Sequence, residues 1–119
     1  MTFQPNQPRK YLSVRDKHRV VVLDYDEIVW LEADGNYTHI HAKSHRYIVK
    51  NSLSGMLRRL DDRFVQTHRA YAVNINSVKE INTVEIKLGD SLIPISDTYR
   101  LSFINRLTLF PAIDQLVNQ

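Results

Sequence analysis

Three pairs of polar residues stand where this chain should turn between apolar strands: Asn36-Tyr37, His68-Arg69 and Ser96-Asp97, with Arg100 one helical turn beyond the last. Arginine can make paired hydrogen bonds to the edge of guanine, and asparagine to adenine. Tyrosine, serine and backbone amides at a helix start commonly hold phosphates. Singly, each is weak evidence, because a turn asparagine or a helix-capping serine is structural more often than not. As a set they suit contact with a polyanion.

Other chemistries are poorly supplied. His39 and His41 lie two apart in an expected strand and so share a face, as paired imidazole ligands would. The pair is slightly similar to that of the cupin barrels. However, no acidic ligand occurs between His41 and Leu60, and no glycine-flanked third histidine follows. Solvated surface histidines are the commoner explanation, so no metal site is expected, and His18 and His45 have no identifiable partners. Cysteine is absent, which excludes thiolate chemistry and disulfides. No serine sits in a Gly-x-Ser-x-Gly elbow, the carboxylates cluster in turns, and three glycines make no phosphate-cradling loop. The chain should be no enzyme and should carry no cofactor.

The elements that must position the polar turns are mostly strands. The stretch Phe64–Asn74 is poorly explained as one amphipathic strand, since neither alternating face is cleanly apolar. Two short strands, Phe64–Thr67 and Tyr71–Ile75, explain it better, with His68 and Arg69 presented at the turn between them. Further strands are expected at Tyr11–Val14, Arg19–Leu23, Ile28–Ala33 with Trp30 as a core anchor, Tyr37–Ala42, Arg46–Val49, Ser77–Ile81, Val84–Leu88 and Leu92–Ile95. Pro94 marks the last as an edge or a strand end.

A short helix follows Asn51-Ser52, either of which can cap it, with Leu53, Met56, Leu57 and Leu60 on its buried face. A second, capped by Ser96 or Asp97, should bury Leu101, Ile104 and Leu107 and end at Pro111. One more turn is expected around Ile113 and Leu116. Neither helix falls where βαβ repetition needs it, so the fold should be mainly β, an elongated arrangement of antiparallel sheets with one short internal helix and a C-terminal helix.

Composition agrees with one domain. The 119 residues are 43% apolar and 24% charged, as in soluble globular chains. Residues 1–10 read as a disordered tail or linker, and 11–119 as the domain. No apolar run approaches the ~20 residues of a membrane helix, so no membrane contact is expected, and a cytoplasmic location fits. Net charge is only +3, but between Gly35 and Leu60 there are five bases, three histidines and no acid, whereas Asp24–Asp34 holds five acids. Such segregation suggests a polyanionic partner met on one side.

Four segments, in order and at similar spacing, resemble the LytTR family of bacterial DNA-binding domains, the usual output half of response regulators in two-component systems. The most specific is Phe64…His68-Arg69…Tyr71…Val73-Asn74. Glu32, Ala33, Gly35, Asn36 and Tyr37 are similar to the family's "Glu-Ala-x-Gly-Asn-Tyr" segment. Arg46–Leu60 resembles its strand and amphipathic helix, and Ile93-Pro94-Ile95-Ser96 its entry to the last helix.

The resemblance implies a sequence-specific transcription regulator whose loops enter successive major grooves of promoter direct repeats in double-stranded DNA, with a second copy beside it. It places Asn36 and Tyr37 on the first loop, His68 and Arg69 on the second, and Ser96 and Asp97 on the third. Lys50 and Asn51, at the helix entrance, would suit phosphate, and Arg69 is best suited to a base. Gln66 stands where the family commonly has arginine, Ala70 where it has serine, and Asp97 where it has arginine. Asn82–Leu88 is shorter than usual. These departures keep a second reading in view: a protein-interaction module or anti-regulator of the same fold that has lost DNA binding.

Overall fold

The computed structural model describes residues 9–113. Most of the expected tail, and Leu116, lie outside those residues. Ten strands and two helices make up the described chain, with the strands all paired antiparallel. The strands are β1 (Tyr11–Asp16), β2 (Arg19–Asp24), β3 (Ile28–Asp34), β4 (Tyr37–Ala42), β5 (Arg46–Val49), β6 (Phe64–His68), β7 (Tyr71–Asn74), β8 (Glu80–Ile81), β9 (Glu85–Leu88) and β10 (Ser91–Pro94). The helices are α1 (Leu53–Arg59) and α2 (Asp97–Ile104). The molecule is elongated, 61 × 41 × 24 Å.

A five-stranded sheet in the order β5-β4-β3-β7-β6 forms the centre, and each of its faces packs against a different layer. Strand alternation divides the apolar side chains between the faces. Phe64 and Ala72 point to one core with Leu31, Ile40, Leu53 and Met56, closed by the β1–β2 hairpin and α1. Val65 and Val73 point to the other with Ile86, Leu88, Ile93 and Phe103, closed by the sheet β10-β9-β8 and α2. A register shift between Ile28 and Trp30 lets Ile28 join the first core while Val29 and Trp30 pack on the second.

α1 forms as its apolar spacing requires. Ser52 is the cap, its hydroxyl accepting from the Gly55 N–H at 3.1 Å. Gly55 has a reason to be glycine: a Cβ there would stand 2.3 Å from Asn51 Oδ1.

Three expectations change. α2 ends at Ile104 rather than at Pro111, and its buried anchor is Phe103, while Leu101 is 69% exposed. Of the strand expected over Ser77–Ile81, only Glu80–Ile81 forms, because Asn74 caps a 3-10 turn over Ile75–Ser77. Val84 stands outside β9 and is exposed. The turn expected around Ile113 and Leu116 falls mostly outside the described residues.

One end of the central sheet is tied by a polar knot. Arg63 is 1% exposed, pairs with Asp61 (2.8 Å) and Asp26 (3.2 Å), and lies over the ring of Tyr25. Asn74, fully buried, donates to the carbonyls of Tyr25 and Ile28 and to Asp26 Oδ1. Desolvation pushes both carboxyls toward the neutral form. For Asp26 the hydrogen bonds from Asn74, Asn76 and Arg63 outweigh it, and for Asp61 those from Arg63 do, so both stay below the usual carboxylate range.

A pH dependence follows from that direction. The stability these acids contribute is present above an unfolded carboxylate pKa of about 4 and is lost as pH falls through their lowered folded values. Melting temperature should therefore hold steady from neutral pH to about 5 and fall below about 4. A melting curve series in which the chain is no less stable at pH 3 than at pH 6 would contradict the knot's role.

Candidate nucleic-acid interface

Strand direction brings the polar turns together. β3 and β6 run toward one end of the central sheet, so Asp34 and His68 finish there. β4 and β7 start at that end with Tyr37 and Tyr71, and β5 finishes there at Val49. The Gly35-Asn36 turn, the Lys50-Asn51 entry to α1 and the Arg69-Ala70 turn therefore share one end, opposite the Arg63 knot. The third loop joins them because the Ser96 N–H donates to the Thr67 carbonyl at 2.9 Å, setting the start of α2 beside the end of β6. With strands about 4.8 Å apart, the row from β5 to β6 extends for about 20 Å.

Each position has its own geometry. Gly35 adopts φ +60°, which a side chain would resist, and leaves Asn36 and Tyr37 exposed. Thr38, buried beneath them, donates its hydroxyl to the Asn51 carbonyl at 2.7 Å, joining the first turn to the helix entrance. Lys50 is exposed, and with Asn51 and Arg59 it lines an open groove of about 500 Å³.

The His68-Arg69 turn is built from within. His68 Nδ1 accepts from the Ala70 N–H at 3.1 Å, and its ring packs against Tyr71. Gln66 Nε2 donates to the carbonyls of His68 (3.2 Å) and Arg69 (3.4 Å). Arg69 alone of the turn's side chains is exposed. Neither it nor Lys50 takes part in an ion pair among the described residues.

The third segment differs. Asp97, 95% exposed, pairs with Arg100, whose Nε is buried without a hydrogen-bond partner. The acid and the base thus offset each other, and Ser96 caps α2 without a side-chain bond.

Gln66 is the residue that reading by position undervalued. It had counted only as a missing cation, whereas its amide reaches forward to hold the turn's carbonyls. Its spacing, two residues before His68, was the available signal.

The paired histidines lie on the same sheet, two and four residues in from this end. His39 is opposite Glu32 and His41 opposite Trp30. His39 Nε2 meets Asp34 Oδ2 at 2.9 Å, and His41 Nε2 meets Glu32 Oε1 at 3.0 Å. The Trp30 indole stacks on His41 at 3.5 Å. The proton affinity of His41 is lowered, chiefly by desolvation with smaller help from Arg46 and His39, against the opposing pull of Glu32.

Comparison with known proteins agrees with this architecture. The LytTr DNA-binding domain family matches residues 18–108. Heme-containing CO-sensing transcriptional regulator RcoM 1 of Paraburkholderia xenovorans is 32% identical over 87 residues, covering 72% of this chain and 31% of that protein. Sensory transduction protein LytT of Bacillus subtilis is 29% identical over 100 residues, covering 78% of this chain and 41% of that protein. The chain thus spans a third to two fifths of the length of these curated relatives, and the haem and CO sensing are named for the whole relative. Among solved structures, the LytTr DNA-binding domain of a Bacillus cereus protein shares the fold. The TM-score is 0.73 at 22% identity, over 83% of this chain and 97% of that one. No helix among the described residues is long and apolar enough to cross a membrane. With the strand-rich fold and four ordered motifs converging on one sheet end, the chain belongs to the LytTr DNA-binding domain family.

Proposed function

We propose that this chain binds promoter direct repeats sequence-specifically, in the cytoplasm, by presenting the turn end of its central sheet to successive major grooves. One observation carries the reading: polar turns from four separate parts of the chain converge on one end of one sheet, with Lys50 and Arg69 exposed and unpaired. A row about 20 Å long exceeds the ~12 Å width of one major groove, so it can reach across the flanking phosphates as well as the base edges. Arg69 is assigned to a base. Asn36 and Tyr37 flank it on one side, and Ser96, Asp97 and Arg100 on the other. Lys50 and Asn51 hold phosphate, and His68 supports the turn. Two copies would bind adjacent repeats.

Selection of binding sites from random DNA tests this directly and should recover a repeated motif. Affinity for it should fall steeply with salt, as phosphate neutralisation releases counterions. Lys50→Ala should weaken selected and unrelated DNA alike and reduce the salt slope by about one. A loss confined to the selected site would reassign Lys50 from phosphate to base.

The offset pair Asp97–Arg100 favours the second reading, a module of this fold that binds a protein instead. Under it, the selection would enrich no motif at all.

A further inference from the structure

We propose that Glu32, His39 and His41 form a binding site for a divalent transition-metal ion of the borderline class, such as Zn²⁺ or Ni²⁺, on the central sheet. One donor atom from each residue lies within 4.8 Å of the others. Donors bound to Zn²⁺ at about 2.0–2.2 Å stand about 3–4 Å from each other, so side-chain rotation closes the set without moving the backbone.

Register creates the constellation. Read along the chain, the histidine pair lacked a carboxylate because none follows it before Leu60. Across the β3–β4 ladder the acid comes from the preceding strand, where Glu32 is paired with His39. Directly paired residues project to the same face, and His41 shares that face by alternation. Both strands lie inside the sheet, with β5 and β7 outside them, so the donors sit on strands hydrogen-bonded along both edges.

The surroundings favour a metal over a simple hydrogen-bonded cluster. Trp30 stacked on His41 fixes one ring, and Asp34 at His39 Nε2 supplies the outer carboxylate that metal-bound imidazoles usually have. His39 Nδ1 is buried with no hydrogen-bond partner, an imbalance the existing contacts leave in place. The side chains of His39, His41 and Glu32 are 15%, 20% and 33% exposed. That is enclosed enough to favour ligation and open enough to admit an ion and water. The second core ends short of this half of the face, where Ile48, paired with His39, is exposed. Two imidazoles and one carboxylate without a thiolate suit Zn²⁺, Ni²⁺ or Co²⁺ and discriminate against Mg²⁺ and Ca²⁺, which prefer all-oxygen sets.

The test is a Co²⁺ titration of tag-free protein, read by visible d–d absorption and followed by displacement with Zn²⁺. One ion per chain is expected, with no response to Mg²⁺. His39→Gln and Glu32→Gln should each weaken binding at least tenfold, and Asp34→Asn, as the outer partner, about tenfold. Zn²⁺ should raise the melting temperature of the parent and not that of the variants. Glu32→Gln is nearly isosteric, so it carries the test if a histidine variant folds poorly. Absence of a Co²⁺ spectrum overturns the site. So does a spectrum that survives in His39→Gln/His41→Gln and is lost in His18→Gln or His45→Gln, since the ion would then bind elsewhere. DNA binding is not a readout here, so the result is independent of the proposed function.

Discussion

Arg63→Met should destabilise the fold by about 3 kcal/mol, the lower end of the 3–5 kcal/mol typical when one partner of a buried ion pair is removed. The lower end applies because Asp26 is 48% exposed and can rehydrate, whereas Asp61, 19% exposed, can do so only in part. In a domain of this size the melting temperature should drop by about 10 °C or more. The variant should also lose part of the acid sensitivity, since the guanidinium that holds both carboxyls below their usual range would be gone. Chemical denaturation at pH 7 measures the first effect, and its repetition near pH 4 the second. A parent-like midpoint at pH 7 would show that the knot carries little net energetic weight.

Arg69→Ala should cost about 1–3 kcal/mol, roughly 5- to 150-fold, on the selected DNA site while leaving unrelated DNA much less affected. Arg69 is exposed and unpaired, so truncation removes a contact without leaving a buried group unsatisfied. Arg69→Lys should keep much of the non-specific affinity and lose discrimination, because an ammonium cannot make the planar two-point bond. His68→Ala should behave differently. It deprives the Ala70 N–H of its acceptor and loosens the turn, so binding should weaken on the selected site alongside some loss of stability. Binding measured on matched and scrambled sites separates these patterns. Equal affinity of Arg69→Ala and the parent for the selected site would remove Arg69 from the interface.

Local patterns carried most of the fold. Turn residues between β-branched and aromatic runs located β3, β4, β5 and β7 closely, and the Leu53–Leu60 spacing located α1. What failed depended on contacts between distant segments. Beyond Ser96, which is tied to the end of β6 by its backbone bond to Thr67, Leu107 packs against the second core as expected, but Leu101 is exposed and Phe103 is the buried anchor. Near Ser77, the capping side chain of Asn74 diverted the backbone into a 3-10 turn.

The site shows the same division. Asn36, Lys50, His68, Arg69 and Asp97 were recognisable as polar residues at turns. That their segments meet at one sheet end depends on strand order, and that Glu32 faces His39 depends on register. Neither is written in local spacing.

The polar knot and the row of turns occupy opposite ends of the same strands. Substitutions at Asn36, Arg69 or Asp97 touch exposed side chains, whereas Arg63, Asn74 and Asp61 are held in a closed bonding set. If the turn end reads DNA as proposed, changes there can accumulate singly, each altering recognition with little cost to folding. On that reading, a lineage built on this sheet has room to drift toward new target sequences while one distant cluster keeps the scaffold constant.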